Sequence, residues 1–549
     1  MVRALGFLLI STSAFAAVWK PHPIKVIAGV PLKAQDIKPY TPPKLKAEPP
    51  LEPTDVKVVE VTVPEAAIEI RPWSSPMVGN AIQGARLAIR GVVSAKGRGC
   101  SGKVWYALEP FGYVCSREVR PTSEPATTEQ VVQMREGMRL PFQYVMALIK
   151  EGDKLPMWAS LEELKKGEEP ERELEKGDTI AVEKPIVWEN QKYWLTVEQK
   201  IIPQKGFSLM GAGASWHGLQ ITDAISLPFG WTLPEKTNAY AVAPEASKTK
   251  PDAVLDRRTR VNIVDEKMVG KKKWLKVTFA EAAPPATFGE IFSEVERKKA
   301  KTSDAAVAPP APENPNPLAA LPEAWVLADS VNEVRKLERP PTVRPEIDRW
   351  IDVDLGEQVL VAYEADKPVF ATIVASGRAI PTPMGTYPVW AKVSAITMKN
   401  QPYEDKEYFV NKVPWSTFFQ WHNAIHGAYW HDRFGAVKSH GCVNVAPLDA
   451  KWVFEWVTPP LPPGWTGLRP LELLKSPHVV VRNSHMKNQF RQDRPIGPPD
   501  RELESQRLEE AEQRRADEEA AAQTVATPTP GNAPATTPTP VPAPTPSAP

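Results

Sequence analysis

From about residue 56 the chain runs in short stretches whose apolar residues recur at every second position. "VKVVEVTV", "ARLAIRGVVS" and "KVWYAL" have this period, with turn residues between them, and predict β-strands. Further on, "WIDVDL" alternates Ile351, Val353 and Leu355 against Asp352 and Asp354, which predicts a half-buried strand. "QVLVAY" and "PVFATIVASG" follow, separated by the turn "EADK", so this region reads as a β-meander. "TPMGTYPVWAKV" adds a turn and another strand. The period then changes in "APLDAKWVFEWV". Pro447 suits the first turn of a helix, and Leu448, Trp452, Val453 and Trp456 fall at i, i+4, i+5 and i+8 on one apolar face. "SPHVVVRN" closes the region as a strand. The pattern predicts a mainly β protein with one helix packed on a sheet.

A weak repeat lies in the first half. "IAVEKPIVWENQKYWLTV" (Ile180 to Val197) is similar to "VNIVDEKMVGKKKWLKV" (Val261 to Val277), and "KVWYAL" is a looser third copy. Such strand–turn–Trp units resemble bacterial SH3-like barrels, which would make the modules glycan binders or spacers; alternating Trp and Val also describe plain sheet core. The chain divides accordingly into β modules at 56–125, 126–235 and 236–338, a candidate catalytic domain at 346–484, and a tail at 485–549. The third module is interrupted by a helical stretch, "FGEIFSEVERKKAK", and a linker, "APPAPENPNP". The tail joins a charged helix former, "RELESQRLEEAEQRRADEEAAAQ", to a Pro/Thr/Ala-rich stretch that cannot bury a core and is expected to be disordered.

Composition adds a compartment. Lys plus Arg number 67 against 66 Asp plus Glu in 549 residues, a balance that argues against a nucleic-acid partner. "MVRALGFLLISTSAFAAVWK" offers Arg3, an apolar run from Ala4 to Ile10 and a small-x-small Ala14-Phe15-Ala16 site. Residues 1–16 therefore read as a secretory signal, followed by a Pro/Lys-rich leader at 17–55, and predict export to the periplasm or cell wall. No later segment is long and apolar enough to predict a transmembrane span. Of the three cysteines, Cys100 and Cys115 flank a predicted hairpin and are expected to pair, a bridge worth up to about 3 kcal/mol. Cys442 is then a candidate reactive thiol.

Cys442 lies in "HGAYWHDRFGAVKSHGCVN", His426 to Asn444, which holds three of the chain's eight histidines. A thiol becomes a strong nucleophile when an imidazole takes its proton. His426 precedes Cys442 by sixteen residues (442 − 426), enough for the chain to loop back at Gly435 and face the thiol. The N–H groups of Gly441 and Cys442 are candidate oxyanion donors. A zinc site is the competing reading, from His422 and His426 in "HNAIH" with His431, His440 and Cys442. No Glu follows His422 to act as base, and the surroundings are aromatic and turn-rich rather than helical.

"IHGAYWHDRFGAVKSHGCVNVAPLDAKWVFEW" closely resembles the signature of the L,D-transpeptidases, the YkuD-type peptidoglycan cross-linking enzymes. Their motif is a His, a loop, then Ser/Thr-His-Gly-Cys-aliphatic-Asn/Arg, met here by His426, Ser439, His440, Gly441, Cys442, Val443 and Asn444. "ASGRAIPTPMGTYPV" is similar to a second family segment at Ser376, Gly377, Thr382, Pro383, Gly385 and Tyr387. The resemblance implies a β-sandwich-like catalytic domain. It makes Cys442 the acylated nucleophile, His426 its base, the Gly427 carbonyl the group orienting that ring, and His440 a residue lining the site. It leaves Ser439, Asn444, Tyr429, Trp430 and Arg433 on the substrate side. Many relatives have Arg where this chain has Asn444, so Arg433 or Lys438 becomes the candidate for holding a substrate carboxylate. The implied substrate is a peptidoglycan tetrapeptide stem, with terminal D-Ala released and a new amide formed, no cofactor, and carbapenems or penems acylating the same cysteine. An L,D-carboxypeptidase or other thiol peptidase passing the acyl group to water, and a non-catalytic wall-binding scaffold, are the alternatives.

Overall fold

The computed structural model describes residues 48–72, 77–94, 100, 104–134, 139–211, 216–244, 249–279, 322–378, 381–400 and 408–496. The expected signal, nearly all of the leader, the helical stretch and linker inside the third module, and most of the tail lie outside the described residues.

In the first module, Val104–Leu108 and Tyr113–Cys115 form the expected antiparallel hairpin, with Trp105 opposite Cys115. Cys100 and Cys115 are disulfide-bonded. The two repeat stretches are also hairpins, Thr179–Trp188 with Gln191–Thr196 and Arg260–Val269 with Lys272–Phe279. Each has a two-residue turn and an irregularity in its first strand, between Val182 and Lys184 and between Ile263 and Asp265. Counted from the turn, however, Trp194 is three residues past Gln191 and Trp274 two past Lys272. Side chains alternate along a strand, so the matching motifs put their tryptophans on opposite faces of their hairpins. Strand Phe229–Thr232, which the sequence division leaves with the second module, pairs with Arg260–Val269 and Val331–Val334 in the five-stranded sheet of the third.

The catalytic region begins with the predicted meander, β1 (Arg349–Asp354), β2 (Val359–Glu364) and β3 (Lys367–Ile373), all antiparallel. After it come β4 (Gly385–Pro388), β5 (Ala391–Lys399), β6 (Phe409–Gln420), β7 (Asn423–Gly427), β8 (Val443–Val445), helix α1 (Pro447–Trp456) and β9 (His478–Arg482). One sheet holds β3, β2, β1, β9 and β4, with β9 parallel to β1. The other holds β5 to β8. The inner faces meet through Ile351, Val353, Leu360 and Phe370 on one side and Trp415, Phe419, Ile425, Val443 and Val445 on the other. Helix α1 starts on Pro447 as expected and adds Ala450, Val453 and Phe454 to that core. Trp452 is half-buried and stacks on Phe370 at 4.1 Å.

The meander is not half-exposed. Trp350, Val361, Tyr363 and Ile373, on its other face, are buried against Phe229, Trp231 and Val334 of the third module. Asp352 and Asp354 are buried with them, and Arg482 on β9 bridges both: Nε and Nη2 donate to Asp352 at 2.8 and 2.9 Å, and Nη1 meets Asp354 at 2.8 Å. The polar positions of "WIDVDL" mark a buried ion cluster instead of a wet face. Local alternation cannot distinguish the two, because the covering residues and the arginine lie far away in sequence.

The modules are not strung beside the catalytic domain as separate beads. Short strand Gly467–Leu468 is inserted between Met77–Ile82 of the first module and β5. Val59, Ile68 and Leu87 share one apolar cluster with Ile351 and Val443. In the second module Thr179 pairs with Val410 on β6, and the Ala181 N–H donates to Asn411 Oδ1 at 3.0 Å. Leu219–Gln220 extends the meander sheet alongside β3.

Candidate active site

The segment between β7 and β8 is the motif that opens on His426. The two strands run parallel and adjacent, with Ile425, His426 and Gly427 abreast of Val443, Asn444 and Val445. Cys442 immediately precedes β8, two residues before Asn444, so its side chain leaves on the face that carries Asn444 and His426. Gly441, at φ +124°, supplies the backbone bend that only glycine adopts without strain. The loop is anchored where it returns: the Gly435 N–H donates to the Val374 carbonyl at 2.7 Å, and Lys438 and Ser439 N–H groups donate to the Ser376 carbonyl. Ser376 is fixed in turn by Gln358, whose amide donates to its Oγ at 2.7 Å and accepts its N–H at 2.9 Å. Gly377 pairs with Ser439, and its N–H donates to Thr382 Oγ1 at 2.9 Å. The two family segments of the sequence are thus neighbours in space.

Cys442 is a half-buried thiol outside any disulfide, and its Sγ donates weakly to the His422 carbonyl at 3.6 Å. His422 lies in the two-residue turn between β6 and β7, and the Trp390 indole N–H donates to the neighbouring Trp421 carbonyl at 3.1 Å. His426 is buried and stacked on Trp430, ring centroids 5.8 Å apart. Burial pushes its imidazole down to about 4, against the Gly427 carbonyl, which favours the charged ring. The Gly427 carbonyl lies close enough to the ring to act on it, although Nδ1 makes no hydrogen bond of strict geometry among the described residues. The site therefore holds a neutral, buried imidazole on the strand next to the one that Cys442 precedes.

Other expected site residues do different work. Tyr429 is buried: its hydroxyl donates to the Asn411 carbonyl at 2.6 Å, lies 2.8 Å from Thr179 Oγ1, and its ring stacks on Tyr144 at 3.6 Å. It joins the loop to the second module. Asn444 is buried as well, its side-chain amide nitrogen 3.0 Å from His431 Nε2, so in this conformation it contacts a loop imidazole and not a ligand. Ser439 closes the turn, its Oγ bonding the Cys442 carbonyl and accepting the Gly441 N–H at 3.2 Å. The Gly441 N–H, an expected oxyanion donor, is bonded to this side chain. His440 is exposed and stacks on Tyr408 at 5.2 Å. Arg433 is exposed, and its backbone N–H donates to His431 Nδ1 at 3.2 Å.

The residues sequence reasoning missed come from outside the motif. Arg257 and Arg258 of the third module bind Asp432, and Asn332 Nδ2 donates to the Gly435 carbonyl at 3.1 Å. Nothing in their local sequence marks them.

A family model for the L,D-transpeptidase catalytic domain, YkuD, matches residues 348–480. No curated protein matches the chain. Among solved structures, the catalytic domain of an L,D-transpeptidase from E. faecium is 28% identical over 25% of this chain and 97% of its own, with a TM-score of 0.20. The same E. faecium domain acylated by ertapenem is 28% identical over 24% of this chain and 96% of its own, TM-score 0.20. An L,D-transpeptidase from Mycobacterium smegmatis is 15% identical over 40% of this chain and 99% of its own, TM-score 0.21. Residues 348–480, with the imidazole on one of two neighbouring parallel strands and the thiol just before the other, are an L,D-transpeptidase catalytic domain.

Proposed function

We propose that this enzyme is exported and acts on tetrapeptide stems of peptidoglycan through a thioester on Cys442. The observation that carries the reading is the placement of a neutral, buried imidazole on one strand and a thiol outside any disulfide just before the parallel strand beside it. The Cys100–Cys115 bridge supports an oxidising compartment. Among the described residues no helix is long and apolar enough to cross a membrane.

In the proposed reaction His426 takes the Cys442 proton as sulfur attacks the carbonyl that precedes the terminal D-Ala. The C–N bond breaks, the D-Ala amine leaves with the proton held by His426, and the stem remains as a thioester. An acceptor amine then attacks the thioester carbonyl, its proton passes by way of His426 to the departing sulfur, and a new amide results. The amine of a second stem gives a 3→3 cross-link, and an amine on a protein gives attachment. In this reading the β modules hold the enzyme at the wall.

Intact mass of the purified mature protein with ertapenem tests the nucleophile. One covalent adduct is expected in the wild type and none in Cys442→Ala, whereas an adduct surviving in the variant overturns the assignment. A muropeptide digest tests the acceptor. Dimers with 3→3 links establish transpeptidation between stems, and trimmed stems alone, even with added amine, establish transfer to water.

A further inference from the structure

Arg258 occupies a backbone position that its side chain should avoid. It is the third residue of the turn Asp256–Thr259, closed by the Thr259 N–H donating to the Asp256 carbonyl, and its φ is +64°. Glycine or asparagine suits that position, and a long side chain there is strained. Strain of this kind persists where the surroundings hold it, and here they hold the guanidinium. Nη2 and Nη1 reach the two Asp432 carboxylate oxygens at 2.6 and 3.2 Å, and Nη2 also reaches the Asp432 carbonyl at 3.0 Å. Arg257 donates to the same carbonyl at 2.8 Å. The Arg258 side chain is only 12% exposed and lies over the Trp216 ring at 5.2 Å.

The clamp ends next to the chemistry. Asp432 is followed in the loop by Arg433, whose N–H donates to His431 Nδ1. A neutral His431 with an accepting Nδ1 carries its proton on Nε2. Nε2 lies against the Asn444 amide, which must then present its oxygen to the ring. Asn444 is two residues past Cys442 and abreast of His426. We infer that Arg258 is a positioning residue for transpeptidation. By fixing Asp432 it sets the His431 ring, and that ring holds the start of β8, and with it the nucleophile, in line with the base. The third module is in this sense part of the active site. The inference rests on the proposed thioester chemistry.

Arg258→Gly deletes the clamp while suiting the backbone, so its effect separates function from folding. Expected are an unchanged unfolding midpoint, an ertapenem acylation rate at saturation lowered about tenfold, and a half-saturating concentration within about twofold of wild type. Arg258→Lys, which keeps one charged contact, should recover part of the rate. Ring 15N–1H correlations should show His431 as the Nε2–H tautomer in wild type and as a mixture in Arg258→Gly. A wild-type acylation rate together with an unchanged His431 signal in Arg258→Gly overturns the inference. If Arg258→Gly does not fold, Asp432→Asn carries the same readouts. If the wild type is not acylated, the thioester reading fails, and the ring signal still reports on the clamp.

Discussion

Asp449, in the first turn of the helix behind the site, accepts the backbone N–H of Gly218 at 2.8 Å across 231 residues of sequence. Its other oxygen accepts the Thr372 hydroxyl at 2.5 Å. One buried carboxyl thus joins the helix, the meander and the segment leading into the third module. Asp449→Ala leaves both donors unpaired and is expected to cost about 2–4 kcal/mol in urea unfolding.

The same group gives a signed pH dependence. Burial pushes the Asp449 carboxyl up to about 6, against Thr372 and Gly218. Between about pH 4 and 6 the folded protein keeps a proton that the unfolded chain releases. The contribution is full below that window and lost as pH rises through it. The melting-temperature difference between wild type and Asp449→Asn should therefore shrink from pH 4 to pH 7.

Arg482 bridges two carboxyl groups that are each at most 2% exposed. Arg482→Met preserves much of the apolar stem but strands both charges. We expect a loss of about 3–5 kcal/mol, measured by chemical denaturation. The double variant with Asp352→Asn should recover part of it.

Tyr429→Phe distinguishes a structural from a substrate-binding tyrosine. Removing the hydroxyl leaves the Asn411 carbonyl and Thr179 short of a partner and should lower stability by about 1–2 kcal/mol. The KM for a stem peptide should stay within about twofold, because the side chain is buried between modules. A large rise in KM with unchanged stability would contradict this placement.

His426 should set the acid limb of acylation unusually low. With its imidazole pushed down to about 4, the ring is already an unprotonated base at pH 5. The ertapenem acylation rate should show no inflection near 6.5 and fall only as pH approaches 4. An inflection at 6.5 that disappears in His426→Ala would refute it.

The meander, the helix and the motif that carries the proposed nucleophile and base were legible in the sequence, because each depends on neighbours close in the chain. Pro447 opens the helix, and Gly441 and Cys442 sit where the motif places them. The misreadings share one cause. Tyr429, Asn444 and the Asp352–Asp354 pair look exposed or substrate-facing because nothing nearby announces Thr179, His431 or Arg482 as their partners. The repeat was legible as two hairpins, but a single residue of slip relative to the turn hid the reversal of its tryptophans.

Gly467–Leu468 has a neighbour on each side, one from the first module and one from β5. A fragment trimmed to residues 346–484 would lose the strand from Met77 to Ile82 and bare the backbone amides and carbonyls that face it. Such raw margins recruit other chains, so the excised domain should clump or exchange segments between copies, while the full-length protein stays monodisperse. Protein for inhibitor work is better started upstream of the first strand than at the family boundary.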